Sequence, residues 1–209
     1  MTGQHAGSHQ RPVPDRVVLD TCVLVSSVLR VLLLDLAQDG WYQPVWSHGI
    51  AREWKRTVAR LWERSPEDID QRWQAMQTAF PQADMGDVTA FTEGLRYTAS
   101  HDWHVVAAGR AVAAQQPGCR VAVVTRNTRD FHRTEMRRLN LMLLDPDQFL
   151  VRLWHQDAAR ISPFVTALPS RAHVAGKPLE TLDAMLRRER LFRFNRLLAH
   201  KAGQGKAGQ

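Results

Sequence analysis

Four acidic residues lie at positions that an α/β fold can bring together in one site. In chain order they are Asp20 after an apolar run, Glu53 within a predicted helix, Asp102 at a predicted helix start, and Asp130 after a second apolar run. Ligands of open α/β sheets bind beyond the carboxyl ends of the strands, so we expect these carboxylates to face that edge. Four such groups together would repel one another and stay partly protonated unless a cation joined them.

The cation that these ligands favour is Mg²⁺ or Mn²⁺, because both prefer hard oxygen donors. A pair of such ions roughly 3.5–4 Å apart can activate a water molecule and stabilise the leaving oxygen of a phosphodiester. The pattern therefore favours a nuclease. Each acid also has an ordinary structural explanation: a helix cap for Asp20 and Asp102, a surface ion pair for Glu53, and a turn residue for Asp130.

The elements that would position these acids alternate between strands and helices. Apolar runs predict buried strands at 16–20, 120–125 and 141–144, whereas Tyr42–Trp46 predicts at most an edge strand. Residues 82–100 predict a loop with room for a short strand. Apolar spacing and capping residues predict helices over Val23–Gln38, from Ser47, from Ser65 to Phe80, from Asp102, over 132–138, and from Asp145 through His155. This alternation predicts a parallel sheet with helices on both faces.

Charge and composition divide the chain into a leader, a body and a tail. Residues 1–15 are polar and unpatterned, and they predict a flexible leader. The net charge is +7, and residues 171–209 carry nine basic residues against three acids, so the body is nearly neutral. Beyond Ser162-Pro163 we expect a basic tail with helical segments at about 178–188 and 190–201. Such a tail favours nucleic acid or an acidic protein as a partner, although a solvated amphipathic helix explains the same charge.

Composition also excludes several classes of protein. An apolar content of 44% with 23% charged residues excludes disorder of the whole chain. No apolar run approaches the roughly 20 residues that a membrane span needs, and the first residues lack the apolar core of a secretory signal. Two cysteines, Cys22 and Cys119, cannot build a disulfide framework, and no Cys/His cluster indicates zinc. We therefore expect a cytoplasmic protein without a membrane partner.

Four segments together resemble the PIN-domain family, and most closely the VapC-type toxins of bacterial toxin–antitoxin modules. The segments are VLDT (18–21), the mid-helix glutamate in IAREWKR (50–56), DWHVVAAG (102–109) and VVTRNTRDF (123–131). Their order, spacing and context match over about residues 16–150. The resemblance implies a three-layer α/β/α sandwich with a central parallel sheet over 16–156, followed by a helical C-terminal extension over 157–209.

The resemblance also implies the roles of individual residues. The four acids Asp20, Glu53, Asp102 and Asp130 would hold Mg²⁺ or Mn²⁺ as the catalytic cluster, and the nucleophile would be a metal-bound water. Three neighbours would orient those carboxylates: Thr21, Thr125 and Asn127. Relatives with this layout often carry a further acid at the position of His101.

RNA would need phosphate contacts close to the acids. Basic residues on the Glu53 helix and around Asp130 can supply them: Arg52, Lys55, Arg56, Arg126 and Arg129, with Arg60 and Arg133 nearby. Ordinary solubilisation of helices explains each of these residues equally well. Trp46 and Trp103 could stack an unpaired base, but packing in the core is the stronger expectation.

The expected protein is thus a metal-dependent endoribonuclease that cleaves tRNA, rRNA or mRNA. It would be the toxin of a type II toxin–antitoxin module, with a cognate antitoxin protein and a homodimeric state. The alternative is a catalytically silent PIN-like module that binds RNA or protein. A phosphatase of the haloacid-dehalogenase type is disfavoured, since Cys22 stands where that chemistry needs a second aspartate.

Overall fold

A parallel sheet forms the centre of the protein, which we describe from a computed structural model for residues 12–62, 64–173, 176 and 178–206. Within these residues four strands lie in the order β2-β1-β3-β4: β1 (Arg16–Leu19), β2 (Gln43–Val45), β3 (Val121–Val124) and β4 (Leu141–Leu144). All neighbouring strands are parallel. Two of the three apolar runs form the central strands β1 and β3, and the third, predicted as a buried strand, forms β4 at one edge with Met142 and Leu143 only partly buried. Pro44 lies in the other edge strand, as the sequence predicts.

Helices cover both faces of this sheet. In chain order they are α1 (Thr21–Leu24), α2 (Ser27–Gln38), α3 (His48–Trp62), α4 (Pro66–Ala79), α5 (Trp103–Gln115), α6 (Arg133–Arg138), α7 (Pro146–Gln156), α8 (Ala158–Arg171), α9 (Leu182–Arg188) and α10 (Phe192–Lys206). Helix α5 contacts β1 and β3 and packs beside α3, whereas α2 contacts β2 and α8. This is a three-layer α/β/α sandwich with a central parallel sheet, so the predicted fold class is confirmed.

The predicted helix over Val23–Gln38 is wrong in one respect, since the chain breaks it into α1 and α2. Ser26 has an extended backbone, and its hydroxyl accepts a hydrogen bond from the Leu29 N–H at 3.2 Å, which starts a new helix. Arg30 Nη1 donates to the Leu24 carbonyl at 2.7 Å and so satisfies the end of α1. Apolar spacing continues through the break and therefore does not reveal it.

The predicted helical segments at about 178–188 and 190–201 are confirmed as α9 and α10, but the sequence did not predict α8, which spans Ser162-Pro163. Pro163 and Pro169 both lie inside α8, where proline normally breaks a helix. Asp157 caps the helix by accepting from the Arg160 N–H at 3.0 Å. Three apolar residues at helical spacing are buried, and their packing compensates the prolines: Ile161, Val165 and Leu168.

The ends of the predicted body are closely packed. Of the predicted leader, residues 1–11 lie outside the described residues, and Asp15 pairs with Arg120 at 2.6 Å beside β3. At the other end, Leu186 and Phe194 belong to the same hydrophobic cluster as the strands. The boundary at residue 157 between body and extension stays a prediction. Among the described helices, none combines the length and the apolar character that crossing a membrane requires.

Two glycines allow the helices near the acids to approach closely. A Cβ at Gly49 in α3 would lie 2.8 Å from the His104 Cβ in α5, a distance that real side chains do not tolerate. A Cβ at Gly109 would lie 3.1 Å from both methyl carbons of Leu141 in β4. The two glycines therefore bring α5 close to α3 and to β4. Glu53 lies in α3, and Asp102 directly precedes α5.

Candidate active site

The four acids come from four different elements and meet at one edge of the sheet. Asp20 directly follows β1, Glu53 lies in α3, Asp102 precedes α5, and Asp130 lies in the loop after β3. The charge of Glu53 raises the pKa of Asp20, and the charges of Asp20 and Asp130 raise the pKa of Asp102. Each acid therefore lies within electrostatic range of another, as the sequence predicts.

Helix capping does not explain Asp20 or Asp102. Both residues precede a helix, yet neither side chain makes a capping hydrogen bond. Asp20 Oδ2 instead accepts from the Thr125 hydroxyl at 2.6 Å and from the Cys22 thiol at 3.0 Å. Neither carboxylate therefore accepts from the first backbone N–H groups of the helix that follows it.

Asp20 is anchored in the protein interior. It is buried, and burial raises the pKa of its carboxyl, while the hydrogen bonds from Thr125 and Cys22 oppose that rise. We expected Cys22 to pack as a small apolar side chain, but its thiol also takes part in this network. Burial and the neighbouring Asp20 charge raise the pKa of Cys22 to about 12, so the thiol remains protonated and donates.

Glu53 points inward and is not the surface residue that its basic neighbours allow. Its Oε2 accepts from the Thr21 hydroxyl at 3.1 Å and lies 3.0 Å from His104 Nε2. The close His104 imidazole is the main cause that lowers the pKa of Glu53, with partial burial opposing it. The sequence did not indicate this role of His104, although Gly49 opposite its side chain is the feature that permits it.

Asp102 and Asp130 form a second, less satisfied pair. Ligand atoms of His101, Asp102 and Asp130 all lie within 4.8 Å of one another. Asp130 accepts a hydrogen bond from the Asn127 side-chain amide, and its Oδ2 lies 3.4 Å from His101 Nε2. Thus each predicted orienting residue contacts a carboxylate: Thr21 contacts Glu53, Thr125 contacts Asp20, and Asn127 contacts Asp130.

Asp102 has an unsatisfied oxygen inside this cluster. Asp102 is only 8% exposed, and its Oδ2 has no hydrogen-bond donor among the described residues. His101 Nε2 lies 3.3 Å from that oxygen without the alignment of a hydrogen bond. Burial is the first cause and the charge of Asp20 the second that raise the pKa of Asp102 to about 6. A buried carboxylate oxygen without a donor, close to Asp130 and within range of the Asp20 charge, fits a divalent cation.

The predicted RNA-binding residues divide into two groups. Arg52 and Arg56 line a cavity of about 400 Å³ that also includes Glu53, His101 and His104. Arg129 lines a second cavity of about 390 Å³ beside Asp130.

The other two predicted RNA-binding residues already have acidic partners. Lys55 pairs with Asp70 at 2.6 Å. Arg126 pairs with the buried Glu189, which follows α9 in the predicted extension. Both basic side chains are therefore engaged within the protein. Trp46 is fully buried, as expected of a core residue.

Comparisons with known proteins identify no relative. No protein-family model matches the chain, and neither the curated proteins nor the solved structures include a significant match. The geometry of the acids and of the two neighbouring cavities is therefore the basis on which a function is assigned.

Proposed function

We propose that this protein is a Mg²⁺- or Mn²⁺-dependent endoribonuclease of the PIN type. One observation carries the proposal: four carboxylates from separate elements converge at the carboxyl edge of a parallel sheet, and one has a buried oxygen without a donor. Asp20, Glu53, Asp102 and Asp130 would hold the metal. When bound there, Mg²⁺ or Mn²⁺ supplies positive charge for the phosphodiester and lowers the pKa of an attacking water.

The protein's own groups prepare this reaction. The Thr125 and Thr21 hydroxyls fix Asp20 and Glu53, so these carboxylates need little reorganisation when a cation arrives. Arg52 and Arg56 line the cavity beside the acids, where they would bind RNA phosphates and neutralise the repulsion between polyanion and carboxylates. No serine or cysteine nucleophile is required, in keeping with the protonated Cys22 thiol.

The biological setting is a further part of the proposal. The motifs that resemble VapC-type toxins support a toxin of a type II toxin–antitoxin module that acts in the cytoplasm on tRNA, rRNA or mRNA. A cognate antitoxin and a second copy of the chain would be its protein partners. The basic C-terminal residues support a polyanionic or acidic partner.

The test is cleavage of total RNA by purified protein with Mg²⁺, with Mn²⁺ and with EDTA. We expect discrete fragments that require the metal and disappear in Asp20→Asn. Asp183→Asn is the matched control, because Asp183 is exposed in α9 and should leave cleavage unchanged. Thermal unfolding of each variant checks that the fold is intact. If folded, metal-supplied wild-type protein binds RNA without cutting it, the protein is the silent binding module and not the enzyme.

A further inference from the structure

An exposed aromatic side chain lines a cavity that the two chain neighbours of Asp130 also line. Tyr97 is 63% exposed and lines the cavity of about 390 Å³ that includes Arg129, His132 and Arg133. Its ring lies against the His132 imidazole, with centroids 5.0 Å apart and a tilt of 34°. An exposed aromatic ring beside cationic groups is the kind of surface on which bases of single-stranded nucleic acid stack.

The backbone that carries Tyr97 is firmly held. The buried Glu135 carboxylate accepts from three consecutive N–H groups, those of Arg96 at 2.8 Å, Tyr97 at 3.3 Å and Thr98 at 2.8 Å. Burial opposes ionisation of Glu135, but these donors prevail and lower its pKa. The Trp103 indole donates to the Thr98 carbonyl at 2.8 Å. The Tyr97 backbone is therefore fixed before any ligand arrives, which lowers the entropy cost of binding.

The surroundings of Tyr97 are basic, and they connect to the acids. Arg129 and Phe131, which line this cavity, are the chain neighbours of Asp130. The cavity with Arg52 includes His101, whose Nε2 lies 3.4 Å from Asp130 Oδ2. The two basic cavities are thus both adjacent to the His101–Asp130 contact at the proposed metal site. A strand of nucleic acid that passes over the acids would find cationic groups in both cavities.

We propose that Tyr97 is a stacking platform for an unpaired base of the RNA substrate, adjacent to the phosphodiester that is cut. This inference rests on the proposed nuclease function and identifies the side chain that would hold a base of its substrate. Arg129 and Arg133 bind the flanking phosphates, and the Tyr97 ring receives the base. Bases within a duplex are stacked on their neighbours and cannot reach the ring, whereas those in loops and single strands can.

The test uses protein with Asp20→Asn, so that binding is measured without cleavage. Fluorescence anisotropy compares a labelled 12-nucleotide single strand with a duplex of the same sequence. Adding Tyr97→Ala should weaken binding of the single strand about tenfold and leave duplex binding nearly unchanged. Tyr97→Phe should bind within about twofold of the parent, since the ring remains. Phe192→Ala is the matched control, because Phe192 is an exposed aromatic residue at the start of α10.

The outcomes separate this inference from the nuclease assignment. If wild-type protein cleaves RNA with metal but Tyr97→Ala binds the single strand as tightly as the parent, the stacking site is wrong and the nuclease stands. Equal weakening of single-strand and duplex binding would also overturn it, because that result indicates a general loss of the surface. If the protein neither cleaves nor binds RNA, both proposals fall together.

Discussion

The two halves of the acidic cluster differ in how well the folded chain satisfies them. Asp20 and Glu53 have hydroxyl donors and further partners, with Thr125 at 2.6 Å from Asp20 and His104 at 3.0 Å from Glu53. Asp102 is buried with an oxygen that has no donor, and its pKa is raised to about 6. Both carboxylates of the first half have hydrogen-bond donors, although burial still raises the pKa of Asp20, whereas Asp102 in the second half has an oxygen with no donor.

This difference indicates a division of labour. Asp20 and Glu53, held by hydrogen bonds, fix the position of the metal ligands. The free carboxylate oxygen of Asp102 makes binding of a cation energetically favourable. Leaving a buried carboxylate without a partner costs free energy, which a divalent ion would recover on binding. The comparison therefore predicts different outcomes when each half is altered.

Among variants that keep all four acids, the largest effect on metal affinity is expected from loss of the donor that fixes Asp20. Thr125→Val keeps the shape of a fully buried side chain but removes the hydroxyl that Asp20 accepts from. We expect Mn²⁺ affinity to fall about 10- to 100-fold, as is typical when a group that orients a metal ligand is lost. Thr125→Ser restores the hydroxyl and should recover most of the affinity, as measured by calorimetric titration. Equal affinity in Thr125→Val would contradict a fixed first half.

The Asp102 carboxylate should make the free energy of unfolding depend on pH. The pKa of Asp102 is raised from 3.8 to about 6, so folded protein binds this proton more tightly than unfolded protein. The free energy of unfolding of metal-free protein should therefore lose a contribution as the pH rises through this range. Asp102→Asn removes that loss and should be more stable than wild type at pH 7, by up to about 3 kcal/mol.

Denaturant unfolding at pH 4 and pH 7 in EDTA measures this difference. The stability advantage of Asp102→Asn should be large at pH 7 and small at pH 4. Adding Mn²⁺ should stabilise wild type and leave the variant unchanged. An Asp102→Asn protein that is less stable than wild type at pH 7 would mean that the carboxylate is well satisfied without metal.

The smallest effect is expected outside both halves, from two neighbours on α3. Arg56 lines the cavity beside the acids, whereas Lys55 pairs with Asp70 and both partners are exposed. We expect Arg56→Ala to weaken RNA binding and to reduce the slope of log affinity against log salt by about 1. Lys55→Ala should change either quantity much less. Binding titrations at several salt concentrations compare them, and a larger loss in Lys55→Ala would reverse the assignment.

Much of the fold could be predicted because burial on both faces leaves a clear pattern. The runs at Val121–Val124 and Leu141–Leu144 are apolar throughout, and the strands formed there. Helix α8 could not be predicted, because its prolines indicate a break and only the packing of Ile161 and Val165 overrides them. The sequence pattern predicts a helix or strand well when the same degree of burial extends along the whole element.

The approach of the four acids to one edge of the sheet could be predicted, whereas their individual contacts could not. Asp20 and Asp102 each directly precede a helix, and the sequence pattern of a capping aspartate there is the same as that of a metal ligand. Only the absence of a capping hydrogen bond in the structure distinguishes the two roles. The His104 contact depends on the close approach of α3 at Gly49. Arg126 pairs with Glu189, which lies 63 residues later in the chain. A contact between residues so far apart in sequence leaves no local sequence pattern.

The most direct test of the central claim is a titration of metal-free protein with Mn²⁺, followed by electron paramagnetic resonance at pH 7.5. We predict saturable binding by wild type, loss of that binding in Asp20→Asn and in Asp102→Asn, and unchanged binding in Asp183→Asn. Wild-type protein that binds no Mn²⁺, or Asp20→Asn and Asp102→Asn proteins that bind it as wild type does, would contradict a metal centre at these acids.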